Sequence, residues 1–259
     1  MPKFCANLSM MFTEHPFADR FAAAARAGFK GVEYLFPYIM PKRDISERLS
    51  ANHLTQVLFN LPSGNWDMGE RGIACLPDRL NEFKDGVGTA IEYAKALGCS
   101  TVNCLAGIQP QGVVREKAWE TLVANVAYAA SALQKEGVQL VIEPINHFDI
   151  PGFLLNRSAD GIAVMDAVNS PNLKLQYDFY HMQRMEGELA ATSQRLLPRI
   201  GHIQVADTPG RNEPGTGEIN YPFIFKHLDT IGYGGWVGCE YKPKSRTTEG
   251  LGWLVSALK

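Results

Sequence analysis

Two spacings of apolar residues alternate along the chain, and they predict two kinds of element. Short, nearly continuous apolar runs recur at "KFCANL", "GVEYLF", "TQVLFN", "STVNCL", "VQLVIE", "LKLQYD", "GHIQVA" and "WVGCEY". Such runs read as strands covered on both faces, the pattern of parallel sheets. Between them the apolar residues step by three and four. In "LNEFKDGVGTAIEYAKALG", Phe83, Val87, Ile91, Ala94 and Leu97 share one helical face, and Gly98 is placed to cap the C-terminus. "WETLVANVAYAASALQKEG" repeats the design with Leu122, Val126, Ala129 and Leu133, closing at Gly137. "PFADRFAAAARAG" carries a proline near its first turn and stops at Gly28.

Eight strand-like runs, each followed by a helical or potentially helical segment, in 259 residues predict an α/β fold, a (β/α)₈ TIM barrel forming one domain over residues 1–259. A doubly wound open sheet is the alternative, but it usually needs fewer strands. Nothing reads as a linker or a low-complexity tract. The longest irregular stretch is "NLPSGNWDMGERGIACLPDR", after the third run. It is expected to lie over the barrel mouth, where a loop of that length is more often functional than idle.

Composition narrows the function classes. The chain is 46% hydrophobic and 20% charged with a formal net charge of −2, and no lysine or arginine cluster stands out. Nucleic acid is therefore not expected as a partner, because phosphate binding relies on a basic footprint. Five cysteines without CxxC spacing argue against a disulfide framework and for a reducing cytoplasm. The opening "MPKFCANLSMMFTEHPF" breaks its apolar residues with Asn7, Ser9, Thr13 and Glu14, so neither a signal peptide nor a membrane span is expected.

A barrel gives special meaning to "GVQLVIEPIN", where a buried strand runs straight into Glu143. In this fold the C-terminal strand ends build the active site. The ends of strands five to eight read Glu143, Asp178, Gln204 and Glu240. Any one acidic strand end can be a helix cap or a solvated loop residue; four polar ends in succession are harder to dismiss. Three carboxylates packed together without a cation would repel and push their pKa values apart. An oxygen-rich set of this kind suits Mg²⁺ or Mn²⁺ better than zinc. His181, three residues past Asp178, is expected on the following loop, touching a ligand rather than the cation.

At these residues the chain resembles a known family. "ANLSMMF", "GVEYLFPY", "GERGIACLP", "LVIEPINHFDIPGF", "LQYDFYHMQRMEGEL", "EPGTGEINY" and "GWVGCEYKP" are similar to the hydroxypyruvate isomerases of the sugar isomerase/epimerase TIM-barrel superfamily. The similarity runs from Lys3 to about Trp253. The resemblance implies a divalent metal held by two glutamates, an aspartate and a glutamine, which match Glu143, Glu240, Asp178 and Gln204. In the related ketose 3-epimerases the place of Gln204 is typically histidine, which points this chain toward the isomerases. The sister 2-oxo-tetronate isomerases share the opening "NLSMMF" and the metal set, whereas "PINHFDIPGF" looks like the hydroxypyruvate enzymes.

The implied chemistry moves a proton between adjacent carbons through an enediol, which needs a positioned base and a stabilised oxyanion. Glu143 and Glu240 are the candidate bases. Arg211 and Lys242 are available for the substrate carboxylate, with His181 near a substrate oxygen. No nicotinamide or flavin site is implied, since the net redox state is unchanged. The expected partner is a small 2-oxo or hydroxy acid, and a homo-oligomer is left open. Two other classes compete. A metal-dependent hydrolase or endonuclease would want several zinc-binding histidines and a basic groove. A non-catalytic sugar-acid-binding barrel would have no reason to keep four convergent ligands.

Overall fold

Each of the eight apolar runs becomes a strand in the computed structural model, which describes residues 2–257. In chain order the elements are β1 (Lys3–Asn7), α1 (Phe17–Arg26), β2 (Gly31–Glu33), α2 (Lys42–Ala51), β3 (Thr55–Asn60), α3 (Leu80–Leu97), β4 (Thr101–Cys104), α4 (Arg115–Lys135), β5 (Gln139–Ile142), α5 (Ser158–Val168), β6 (Leu173–Asp178), α6 (Phe179–Met185), α7 (Leu189–Leu196), β7 (Ile200–Val205), α8 (Tyr221–Thr230), β8 (Trp236–Cys239) and α9 (Gly252–Ala257). The strands pair in parallel in that order, and β1 closes onto β8. The closed barrel removes the open-sheet alternative.

The helices follow their predicted faces, with two adjustments. On α3 the buried residues are Phe83, Val87, Ala90, Ala94 and Leu97, so Ala90 turns inward and Ile91 is only half-buried. Gly98 caps that helix in the left-handed conformation, φ 62°, which costs glycine little. The helix expected from Trp119 starts earlier, at Arg115, behind an extended Val114 that offers no capping side chain. Its expected core residues Leu122, Val126, Ala129 and Leu133 are all buried.

Two layers fill the barrel interior. Toward the N-terminal strand ends, Cys5, Val57, Leu58 and Val141 cluster with Trp236 packed against them. Gly31 makes room there, because a Cβ on it would stand 2.8 Å from both the Trp236 ring and Val57. Toward the C-terminal ends the interior turns polar: Asn7, Glu33, Asn60, Asn103, Gln176, Asp178, His202 and Gln204 are all buried. Burying such groups is unfavourable unless they are hydrogen-bonded. The apolar core lies between strands and helices instead. The long segment after β3 brings Trp66 and Arg71 to the cavity at the mouth and is interrupted by short 3₁₀ turns at Trp66–Met68 and Pro77–Arg79.

Candidate functional site

Glu143 directly follows β5, Asp178 ends β6, and Glu240 directly follows β8. With His181 they offer ligand atoms that all lie within 4.8 Å of one another, and all four residues are buried. One oxygen of each acid is held by a neighbour. Asn103 Nδ2 donates to Glu143 Oε2 at 3.2 Å, and Asn7 Nδ2 donates to Glu240 Oε1 at 3.2 Å. The backbone N–H of Tyr180 donates to Asp178 Oδ1 at 2.8 Å, which caps and starts α6. The remaining oxygens converge. Glu143 Oε1 and Asp178 Oδ2 are buried without a hydrogen-bond partner, and Glu240 Oε2 accepts from Arg211. A buried polar atom left unpaired calls for a reason, and three hard oxygen donors facing one point could hold a divalent cation.

The electrostatics carry the mark of this crowding. Burial, then the charges of Glu240 and Asp178, push the Glu143 carboxyl well above the usual range. Burial raises Asp178 and Glu240 as well, against the opposing pull of Arg211.

His181 lies in helix α6 and not on a loop, because the Asp178 cap starts that helix immediately after the strand. Asn146 presents its Nδ2 at 2.6 Å to His181 Nδ1, and the same amide is oriented by Asp149. The hydrogen-bond pattern thus assigns Nδ1 as acceptor and leaves the proton on Nε2. That nitrogen stands 3.6 Å from Asp178 Oδ2 and 3.8 Å from Glu143 Oε1. Burial, and then Arg211 and Arg184, hold the imidazole pKa well below its ordinary value. It is a neutral imidazole beside the acids, with Arg211 Nη2 also 3.4 Å from Nε2.

Gln204 is in β7, level with Asp178 on β6. Its amide is engaged below the acid cluster: Oε1 accepts from Gln176 Nε2 at 2.6 Å, and Nε2 donates to Glu33 Oε1 at 2.7 Å. Glu33 also accepts from Asn7 Nδ2 at 3.0 Å and pairs with His202 Nε2 at 2.7 Å. From β8, on the other side of β1, a Cβ on Gly238 would collide with the Glu33 carboxylate. Any larger residue there must displace the Glu33 carboxylate.

The cavity over the acids has a volume of about 610 Å³, ordinary for a small-molecule site. Its lining joins Glu143, His181 and Glu240 to Arg211 and Lys242, the cations expected from the sequence. Arg211 is bonded to Glu240, with Asp178 and Asp149 each at 3.8 Å. Its backbone sits in the left-handed region, φ 54°, a sparsely populated conformation for a side chain of this size. Lys242 is exposed at the rim. Arg184 pairs with Asp149, and Arg71 reaches in from the segment after β3. A neighbouring cavity of about 760 Å³, lined by Phe17, Phe36, Tyr38 and Trp66, is larger but holds no cluster of acids.

Sequence reasoning singled out the acids and passed over their supports Asn7, Asn103, Asn146 and Glu33, and also Arg71. Glu33 carried the signal that flagged Glu143, a carboxylate inside an apolar run. The asparagines carried none, since their partners are up to 233 residues away in the chain.

Comparison with known proteins gives a consistent picture. The family described as xylose isomerase-like TIM barrel matches residues 21–257. A hydroxypyruvate isomerase of Escherichia coli (strain K12) is 53% identical over 254 residues, covering 98% of each chain. A 2-oxo-tetronate isomerase of Cupriavidus necator is 50% identical over 258 residues, covering 100% of this chain and 99% of the relative. Among solved structures, one titled AP endonuclease, family 2, from Brucella melitensis superposes with a TM-score of 0.96 at 44% identity, covering 99% of both chains.

Proposed function

The chain belongs to the xylose isomerase-like TIM-barrel family, and from that premise we propose that it is a hydroxypyruvate isomerase. It interconverts hydroxypyruvate and tartronate semialdehyde, with residues 1–259 acting as one isomerase domain. The observation that carries the reading is the buried group Glu143, Asp178 and Glu240, two of whose convergent oxygens have no partner.

Glu143, Asp178, Gln204 and Glu240 would hold a divalent ion of the Mg²⁺ or Mn²⁺ type, with the Gln204 oxygen exchanging its bond to Gln176. Such an ion, when bound, supplies Lewis-acid polarisation of the carbonyl and hydroxyl oxygens. The chain's own groups do the rest. Glu143 and Glu240 approach from β5 and β8, so the reacting carbons can lie between them. One glutamate removes a C3 hydrogen as a proton, the electron pair moves toward O2, and an enediol forms. The other glutamate, protonated at the outset, delivers a proton to C2, the proton lost from O3 is taken up by O2, and proton exchange resets the two glutamates, so the isomerisation balances without any redox partner. Carboxyls raised by burial suit a role that must both accept and return a proton. His181 Nε2–H donates to a substrate oxygen. Arg211, held among Glu240, Asp178 and Asp149, balances the charge of the acids beside the substrate, and Lys242 adds positive charge at the rim. Five buried free cysteines support a reducing, cytoplasmic setting. Among the described residues no helix is long and apolar enough to cross a membrane.

The 50% identity to a 2-oxo-tetronate isomerase favours a second reading with the same proton transfer on a four-carbon acid. An endonuclease has less support, since the acid group contains one histidine and two of the arginines beside it, Arg211 and Arg184, are paired with Glu240 and Asp149. The test is a substrate panel with Mg²⁺ and with Mn²⁺, comparing hydroxypyruvate with 2-oxo-tetronate. Faster turnover of hydroxypyruvate is expected. Preference for 2-oxo-tetronate selects the sister activity, and turnover of neither removes the isomerase reading.

A further inference from the structure

The substrate carboxylate needs a cation, and the acid cluster constrains where that cation can be. A carboxylate laid beside Glu143, Asp178 and Glu240 would add a fourth negative charge to a buried group already under mutual repulsion. The acids stand on β5, β6 and β8, and Arg211 is committed to two of them. In the closed strand order β3 lies opposite β7, so the segment after β3 borders the side of the mouth away from Arg211.

That segment carries Arg71, which lines the same cavity as Glu143, His181 and Glu240. Its carbon lies 4.0 Å from the Trp66 ring centroid, and Nη1 donates to the carbonyls of Glu70 at 2.7 Å and Trp66 at 2.9 Å. No carboxylate among the described residues comes within ion-pair distance of it. The nearest in sequence, Glu70, is turned away and bonded to Arg79 and to the backbone N–H of Asn65. The backbone under Arg71 is pinned. Gly72 (φ 113°) and Gly107 (φ 104°) press together so closely that a Cβ on Gly107 would stand 2.6 Å from the Gly72 carbonyl, and one on Gly72 would collide with the Leu105 carbonyl. The Gly72 N–H is fixed on Ser63 O at 3.0 Å. A rigid, stacked arginine with donors to spare is pre-organised for a planar anion.

We propose that Arg71 is the specificity residue that receives the substrate's carboxylate, holding it away from the acids so that only the reacting carbons enter between Glu143 and Glu240. The proposal rests on the isomerase reading for its substrate and on the cavity geometry for its position.

The experiment uses the full-length, Mg²⁺-loaded protein and the variants Arg71→Gln, Arg71→Lys and Lys242→Ala. Calorimetry with glycerate, a carboxylate that cannot isomerise, and with glyceramide, its uncharged counterpart, reads recognition apart from turnover. Kinetics with hydroxypyruvate and its methyl ester read it during turnover. Arg71→Gln should weaken glycerate about 10- to 100-fold while leaving glyceramide, metal content and melting temperature unchanged. The acid-over-ester preference in kcat/KM should fall by a similar factor, mainly through KM. Arg71→Lys should restore only part of it, and Lys242→Ala should change it less than threefold. Equal glycerate affinity in Arg71→Gln and wild type, equal losses for acid and ester, no glycerate binding by the wild type, or a larger effect from Lys242→Ala each overturn the proposal. Glycerate binding that depends on Arg71, in a protein that fails to turn over hydroxypyruvate, supports the proposal while refuting the isomerase reading.

Discussion

Glu33 and Glu143 are both buried glutamates inside one barrel, yet their surroundings are opposites. Glu33 is saturated, taking hydrogen bonds from Asn7 and Gln204 and pairing with His202. Burial alone would raise its pKa, but His202 and these bonds outweigh it and hold the carboxyl below the ordinary value. Glu143 has one oxygen on Asn103 and the other on nothing, with two further acids beside it, and its carboxyl is driven up. The floor of the site is a closed network that stabilises its charge. The mouth is an open one that leaves its charge seeking a cation. A buried carboxylate therefore does not by itself mark chemistry; incomplete satisfaction does.

The comparison breaks most visibly at the mouth. Replacing Glu143 or Glu240 by Gln keeps shape and an oxygen while removing the base. Each variant is expected to lose at least ~10²–10⁴-fold in kcat for hydroxypyruvate, with divalent-ion content measured on the same samples to separate lost binding from lost proton transfer. Near-wild-type turnover with metal bound would end the two-glutamate mechanism.

Stability should respond with opposite signs in the two places. Glu33→Gln leaves buried donors mismatched and is expected to lower unfolding free energy by about 3–5 kcal/mol at pH 7 in urea titrations. A depressed carboxyl contributes stability above its unfolded-state value and loses it as the pH falls through the folded-state value, so the deficit should shrink in acid. Glu143→Gln in the metal-stripped protein should be neutral to ~2 kcal/mol more stable at pH 8. Raised carboxyls contribute stability in acid and lose it as the pH climbs, here from the ordinary 4.5 toward about 8 for Glu240. Metal-stripped wild type should accordingly weaken across that window. Parallel pH profiles for the two variants would erase the distinction between floor and mouth.

A finer probe is Gly238→Ala, whose Cβ would push on the Glu33 carboxylate from β8, on the far side of β1. A loss of about 1–3 kcal/mol is expected in thermal unfolding. Combined with Glu33→Gln the two losses should fall short of additive, because both act on one contact.

Much of this was legible before any coordinates. The eight strands were marked by apolar runs, and Glu143, Asp178 and Glu240 by their places at the ends of three of them. What stayed hidden had physical causes. His181 reads from the sequence as a loop residue but lies in α6, because an aspartate that both ends a strand and caps a helix leaves no connecting residues. The sequence places Gln204 level with Asp178, but gives no sign of how its amide turns, with the donor end on Glu33 and the oxygen on Gln176. Arg71 sat unnoticed in an irregular segment whose periodicity says nothing. Its geometry comes from Gly72 meeting Gly107, two positions 35 residues apart.

That meeting of glycines also bears on how such a protein can change over generations. The two glutamates proposed to move protons follow β5 and β8, while the pinned arginine belongs to one contiguous stretch between β3 and α3. Drift or recombination within residues 61–79 can alter which acids are admitted while the reactive end is inherited untouched. The clasp narrows that freedom at one point, since any heritable substitution at Gly72 or Gly107 must displace both segments together.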